Sequence, residues 1–304
     1  MPIVFTVCTT AQLLYARALQ ASVPAGFEFR IGLIDGQIID NEVVGIAELK
    51  IKQWPKMGTD YDEAALAAVC KPFFADYFLK QTNAQQIIYF DPTVLVFGNL
   101  QLILDELQTV DILLTPRLTH TFGKSDYGDE KFYLNTGLID AGFWAINRTK
   151  NTDKFLDWWQ KRLITSAHLD LCHAQNHDQL WLMYAPVFFD NVQIIKNLGW
   201  NVALHNLNER TLTVRDGKWI VNQGENLLFF NFRELVANTK TVQTIATKSG
   251  AIPLLANYQN QVGSLPYIFS IHQKLRPTVP KWRLWLQKRL LSIIHRIESY
   301  PLYH

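Results

Sequence analysis

Residues 87–98, Ile87-Ile88-Tyr89-Phe90-Asp91-Pro92-Thr93-Val94-Leu95-Val96-Phe97-Gly98, decide the fold. Two apolar runs are broken by one acidic tripeptide, Asp91-Pro92-Thr93. A short apolar run bounded by turn residues reads as a strand buried on both faces, as in a parallel sheet. Open α/β sheets bind ligands in the crevice at the carboxyl ends of such strands. A carboxylate at that place makes Asp91 a site candidate, against the plainer reading of an Asp-Pro turn initiator.

Working outward, Ile3–Val7 reads as a first strand, Ala11–Ala21 as a helix and Phe27–Ile34 as a second strand ending at Asp35-Gly36. This is a βαβ opening. Asp62–Leu79 carries alanine and apolar residues on one side and predicts a helix that Pro72 kinks or restarts. Asp111–Thr115 and Leu138–Ile146 read as strands, Thr152–Leu163 as a helix capped by Thr152, and His177–Tyr184 as a further helix. Short strands are expected around Val192–Ile195 and Leu227–Phe232. Leu118–Phe132 is polar and glycine-containing, which predicts a loop over the site that acts as a substrate lid. The expected fold class is α/β, a Rossmann-like mixed sheet flanked by helices.

The chain has 304 residues, 48% of them hydrophobic, enough for a well-buried core. Its three cysteines, Cys8, Cys70 and Cys172, are odd in number and far apart, offering neither a disulfide framework nor a zinc spacing. With no basic n-region and no apolar run of membrane-spanning length, the expected location is cytoplasmic. The net charge of +2 hides an asymmetry. From Ile271 onward there are seven Lys/Arg and one acid, so the body is mildly acidic, which argues against a nucleic-acid partner, and the tail is basic.

Several blocks in order resemble a bacterial family of GT-A-fold glycosyltransferases found among polysaccharide and lipopolysaccharide assembly enzymes. They include Tyr61-Asp62, Lys71-Pro72-Phe73, Tyr89-Phe90-Asp91-Pro92, Val96-Phe97-Gly98, Leu114-Thr115-Pro116, Ala141-Gly142-Phe143 and Phe155-Leu156-Asp157-Trp158-Trp159. Asp178-Gln179-x-Trp181, Gly199-Trp200-Asn201-Val202-Ala203 and Asn206-Leu207-x-Glu209-Arg210 complete the set, over roughly residues 4 to 232. The family pattern implies Asp-Pro-Asp at the strand end, an Asn before Ala141-Gly142-Phe143, and His-Phe-x-Gly near the last strand. Here those places hold Asp91-Pro92-Thr93, Asp140 and Asn231-Phe232-Arg233.

In that pattern the second Asp and the His hold a divalent metal such as Mn²⁺ on the donor diphosphate. With Thr93 and Asn231 in their places, the expectation is a site independent of metal and without another cofactor. The leaving diphosphate develops charge that a cation must stabilise, and Lys71 and Arg233 are the candidates. Asp91 is then expected to contact donor hydroxyls, and Thr9, Thr10 and Asp35 to line the nucleotide. Asp178 and Asp140 are the candidate catalytic residues; Asp178 reads equally as a helix cap and Asp140 as a turn residue. Glu209 and Arg210 stand on the acceptor side or form a structural ion pair. His168, Cys172, His173 and His177 read as surface rather than as metal ligands, because Leu169, Asp170 and Leu171 interrupt any ligand face.

The C-terminal segment places Trp282, Leu286, Leu290, Ile293 and Ile297 at helical spacing, with Lys281, Arg283, Lys288, Arg289 and Arg296 mostly on the other arc. That is the pattern of a helix lying in an anionic membrane surface, the rival being a helix packed on its own domain. The expected organisation is a glycosyltransferase domain over 1–262 and a basic amphipathic tail over 263–304, peripheral to the inner membrane. The expected activity moves a sugar from a nucleotide-sugar donor to a glycan or lipid-linked acceptor. The rivals are a catalytically silent paralogue that binds such ligands, and a sugar-phosphate nucleotidyltransferase, disfavoured because Val7-Cys8-Thr9-Thr10-Ala11 is no Gly-rich phosphate loop.

Overall fold

The computed structural model describes residues 1–37, 40–121, 127–234, 240–263, 271–272 and 281–298. The chain opens with β1 (Ile3–Cys8), α1 (Leu13–Ser22), β2 (Glu28–Leu33) and β3 (Val43–Gly45), and α2 (Glu63–Gln81) then leads into β4 (Gln86–Phe90). Next come β5 (Val94–Val96), β6 (Ile112–Pro116), α3 (Tyr127–Thr136), β7 (Ile139–Asn147), α4 (Lys150–Leu163), α5 (Gln179–Leu182) and β8 (Val192–Ile194). After β9 (Val202–Ala203) and β10 (Phe229–Asn231) follow α6 (Lys240–Lys248), α7 (Ile252–Gly263) and α8 (Lys281–Glu298).

Seven strands form one sheet in the order β8-β6-β7-β4-β1-β2-β3. β7 runs antiparallel to both neighbours, while the β1–β2, β2–β3, β1–β4 and β6–β8 pairs are parallel. The α/β mixed sheet expected from the sequence is the architecture found. Side chains alternate across each strand, so Tyr89 and Trp144 enter the core under α2 and α4, while Ile88, Phe90 and Phe143 enter the core under α1. A third core lies where α6 and α7 pack on a small sheet ordered β9-β10-β5. That sheet ties β5, just past Asp91, to the last strand of the body, with Asn231 opposite Val94.

Four local expectations are corrected. α2 runs unbroken through Pro72, capped by the Asp62 side chain accepting from Ala65 N at 2.8 Å. Pro72 removes one intrahelical bond, but burial of Leu66, Val69, Phe74 and Phe78 against the sheet holds the helix together. The cap of α4 is Thr149, whose backbone N–H donates to Thr152 Oγ1 at 2.9 Å, so Thr152 sits inside the first turn. The loop expected over Leu118–Phe132 is helical from Tyr127 onward, as α3; residues 122–126 lie outside the described residues. The helix expected over His177–Tyr184 is reduced to the four residues of α5, since His177 adopts a left-handed φ of 46°. Among the described residues no helix is long and apolar enough to cross a membrane.

Candidate active site

Asp91 leaves β4 at its carboxyl end, and the ladder to β7 continues one step further because Asp91 N donates to Gly142 O at 2.9 Å. Tyr89 stands two residues earlier on the same face, and its hydroxyl donates to Asp91 Oδ1 at 2.8 Å. Gly142 is glycine for lack of room. A Cβ there would lie 2.9 Å from Asn231 Nδ2 and 3.0 Å from both Asp91 Oδ2 and Asp140 Oδ1.

Lys71 projects from the middle of α2 into this cluster. It is buried, and its ammonium lies 2.8 Å from Asp178 Oδ2, 3.5 Å from Asp91 Oδ1 and 3.0 Å from Ala141 O, above the Tyr89 ring at 4.8 Å. Lys71 is thus held inside the cluster and is not a solvated side chain. Burial pulls its pKa down, but the two carboxylates overcome this and hold it above the usual lysine value. For Asp91 burial acts upward, and Lys71 and Arg233 together turn the balance, leaving its carboxyl below the usual range. For Asp178 burial is the larger effect and Lys71 only partly offsets it, so its carboxyl is raised. The same ion pair thus leaves one carboxylate depressed and the other lifted, because only Asp91 has a second cation beside it. Asp178 precedes α5 without making a side-chain cap bond, so its carboxylate serves the cluster rather than the helix.

Thr93 and Asn231 meet. Thr93 Oγ1 donates to Asn231 Oδ1 at 2.9 Å, Arg233 N donates to the same oxygen at 3.0 Å, and Asn231 Nδ2 reaches Asp91 Oδ2 at 3.4 Å. The two positions at which the resemblance implies metal ligands are therefore neutral groups turned on one another. Asp91 remains as a carboxylate, but its oxygens already face Tyr89, Lys71, Asn231 and Arg233. A divalent cation would meet two positive side chains there, so this donor set does not suit one. Among the described residues no three His, Cys, Asp or Glu side chains converge as metal ligands.

A cavity of about 520 Å³ opens over the cluster. Thr9 and Gln12 line it beyond β1, and Arg117, Thr136, Asp178, Arg233 and Glu234 line the opposite wall. Thr10 and Asp35 do not face it. Asp35 accepts from Thr10 N at 2.7 Å and from Thr10 Oγ1 at 2.9 Å, and so fixes the turn that presents Thr9. Glu209 likewise stands outside the lining, accepting from the backbone of Thr119 and His120, while Arg210 is buried and donates to Trp200 O and Asn201 O. Their own separation is 3.7 Å, and Glu209 anchors the segment that follows Arg117.

Asp140 makes the turn bond expected of it and also faces a histidine, and it is not among the residues lining the cavity. Its Oδ1 accepts from Gly142 N at 2.7 Å, a turn bond, and its Oδ2 lies 3.2 Å from His205 Nε2. Burial lowers the His205 imidazole to about 4, against the pull of Asp140. His205 and Arg117 are the site residues that sequence reasoning missed. Neither belongs to a local pattern; the available signals were the matched Leu114-Thr115-Pro116 block, which ends immediately before Arg117, and the Asn206-Leu207 block, which begins immediately after His205. Of the histidines set aside as metal ligands, His168 packs on Tyr61 at 4.8 Å and His173 Nδ1 lies 2.8 Å from Asp170. The side chain of Cys172 lies outside the description.

No known protein-family profile matches the chain. It is 22% identical over 240 residues to the uncharacterized protein YfnF of Bacillus subtilis (strain 168), covering 77% of this chain and 78% of that protein. It is 24% identical over 165 residues to YfnD of the same organism, covering 53% of this chain and 51% of that one, about half its length. Among solved structures it is similar to the galactosyltransferase LgtC in complex with donor and acceptor sugar analogs, 16% identical with a TM-score of 0.48 over 93% of this chain and 99% of that one. It is also similar to a glycosyltransferase involved in glycosylation of the major capsid of PBCV-1, 10% identical with a TM-score of 0.46 over 81% of this chain and 97% of that one. Likenesses at these levels leave the question of what this chain binds to its own residues.

Proposed function

We propose that the chain is a hexosyltransferase-like glycosyltransferase of GT-A-like fold, moving a sugar from a nucleotide-sugar donor to a glycan or lipid-linked acceptor in surface polysaccharide or lipopolysaccharide synthesis. The observation that carries the reading is the buried Asp91–Lys71–Asp178 cluster under a cavity at the carboxyl edge of the sheet, where open α/β folds take nucleotides. Thr9 at the far end of that cavity suits the nucleotide. Asp91, kept ionised, suits hydroxyls of the donor. Asp178, with its carboxyl lifted by burial, suits a group that accepts a proton from the incoming hydroxyl.

A screen of nucleotide sugars by thermal shift, with and without Mn²⁺, tests this, since a ligand of the native state raises its stability by mass action. Stabilisation by one nucleotide sugar, followed by its hydrolysis or transfer, is the expected result; indifference to all of them would end the reading. The neutral Thr93–Asn231 pair favours one alternative, a silent paralogue that binds the sugar nucleotide and leaves it intact.

The proposed surroundings are the inner face of a membrane. On α8 the side chains of Trp282, Trp285, Leu286, Leu290, Leu291, Ile293 and Ile294 are all exposed, on a segment of strongly basic composition. Aromatic and aliphatic burial at the interface, together with attraction to acidic headgroups, would hold the body close to a lipid-linked acceptor.

A further inference from the structure

Arg117 is 6% exposed and lines the cavity. A buried guanidinium ordinarily stands beside a carboxylate, because burying an isolated charge is costly. Arg117 does not. Its Nη1 donates to Thr136 Oγ1 at 2.7 Å, and its guanidinium rests on the rings of Tyr133 at 4.9 Å and Phe132 at 5.8 Å. Among the described residues no carboxylate oxygen lies within ion-pairing distance of it. The neutral hydroxyl and the two ring faces hold the side chain in place without an ion pair among the described residues.

The other cations of the cavity differ. Lys71, the candidate raised by the sequence, is closed between Asp91 and Asp178 and has no charge to spare. Arg233 reaches Asp91 at 3.5 Å with 63% of its side chain exposed, and it lines the cavity. Glu234 and both arginines line the one cavity, and Glu234 lies within electrostatic reach of each. Asp91 and Thr93 line the same cavity, where the donor set is unsuited to a divalent ion.

We infer that Arg117 and Arg233 together form a receptor for the diphosphate of the nucleotide donor, taking the place of a metal ion. This rests on the reading of the chain as a user of nucleotide sugars. Two guanidiniums offer planar forks that match phosphate oxygens bidentately. They supply positive charge where a leaving diphosphate gathers negative charge as its bond to the sugar breaks. Arg117 is pre-organised by its aromatic seat, and Arg233 is free to close on the ligand. Glu234, whose carboxyl burial lifts above its usual range and which lies within electrostatic reach of both arginines, is displaced or protonated as the anion enters.

The test is isothermal titration of the full chain with inorganic diphosphate in EDTA. Binding is expected without metal, weakening as salt is raised, and falling at least tenfold in R233Q and in R117Q, with R117K keeping part of the affinity. Thermal unfolding is run on each variant, and if R117Q does not fold, R117K and R233Q decide. UDP and GDP are then offered as competitors. Displacement of inorganic diphosphate by one of them assigns the receptor to the donor; failure of both to compete would overturn the assignment. The inference is also overturned if the wild-type chain ignores inorganic diphosphate, binds it only with Mn²⁺ or Mg²⁺, or binds it equally well as R233Q or R117K. Metal-free, arginine-dependent binding of a nucleoside diphosphate with no turnover of any nucleotide sugar would keep this inference and remove the transfer reaction.

Discussion

Thr93 Oγ1 donates to Asn231 Oδ1 at 2.9 Å across 138 positions of sequence. Two departures from a pattern, each ambiguous alone, are thus one hydrogen bond in space. A hydroxyl and an amide satisfy each other, whereas a carboxylate at 93 would face an amide oxygen beside the carboxylate of Asp91. Leaving such a buried charge uncompensated costs about 3–5 kcal/mol. Thr93→Asp alone is therefore expected to lose roughly 3 kcal/mol in urea denaturation. The double variant Thr93→Asp/Asn231→His should regain much of that loss in millimolar Mn²⁺, with no such metal response in the wild type. Equal stability of Thr93→Asp and wild type would show that the pair does not constrain the site.

Lys71 and Asp91 should part company on mutation. Lys71→Met leaves Asp91 and Asp178 buried without their shared cation, which predicts a loss of about 3–5 kcal/mol and a large drop in Tm. Asp91→Asn leaves Lys71 paired with Asp178, so the fold is expected to survive while donor turnover falls on the order of a hundredfold, the scale of a lost transition-state contact. Circular dichroism and a donor-hydrolysis assay, run side by side, read the two effects separately. Near-wild-type turnover in Asp91→Asn would remove it from the site.

Acid should weaken the fold through His205. Its folded pKa of about 4 lies below the free value of about 6.5, so the unfolded chain takes up the proton first. The stability contributed by neutral His205 is complete above pH 6.5 and is lost as pH falls toward 4, on the order of 3 kcal/mol. Asp178, with its carboxyl raised, acts in the opposite sense, costing stability as pH rises through its folded value. Comparing wild type with His205→Gln isolates the imidazole. Unfolding free energies at pH 7 and pH 4.5 should converge in the variant, and an unchanged slope would refute the assignment.

Gly142→Ala is a one-carbon probe of the cluster. The added methyl would press on Asn231, Asp91 and Asp140 at 2.9 to 3.0 Å, and overpacking of this kind costs about 1–3 kcal/mol. Because the displaced groups are those of the site, donor affinity should fall further than stability. A variant with unaltered binding by titration would show that the site yields without consequence.

Removal of the tail from Lys281 onward should leave the Tm of the body and activity on a soluble acceptor analogue unchanged, while abolishing sedimentation with anionic liposomes. The intact chain should bind such vesicles at low salt and release them as salt rises. If the shortened chain aggregates instead, α8 belongs to the core.

The strands were legible because burial on both faces leaves an apolar run, as in Ile87–Phe90 and Phe143–Ile146. Asp91 was legible for the same reason, as the break that ends one. α3 was not, because its helix carries little apolar patterning and seats instead on particular contacts, such as Tyr133 OH donating to His205 O at 2.8 Å and Thr136 receiving Arg117. His205 and Arg117 escaped notice on similar grounds. Each is a single polar residue whose partner lies on a distant segment, and nothing in local spacing announces that Asp140 and His205 will meet. Lys71 was legible as a candidate cation, but its pairing was not. Its two carboxylates are brought to it by β4 and α5, and only tertiary structure shows the charge already matched.

That arrangement also sets an order of events at the ribosome. Lys71 emerges on α2 well before its carbonyl partner Ala141, 70 positions further along, and later still comes Asp178, its nearest carboxylate. Until α5 has been synthesised, the amino-terminal half of the sheet would have to enclose an ammonium with only Asp91 beside it. The nascent chain is therefore expected to hold α2 loosely docked and to complete its core late, with closure of the Lys71–Asp91–Asp178 cluster and final consolidation of the sheet as one step.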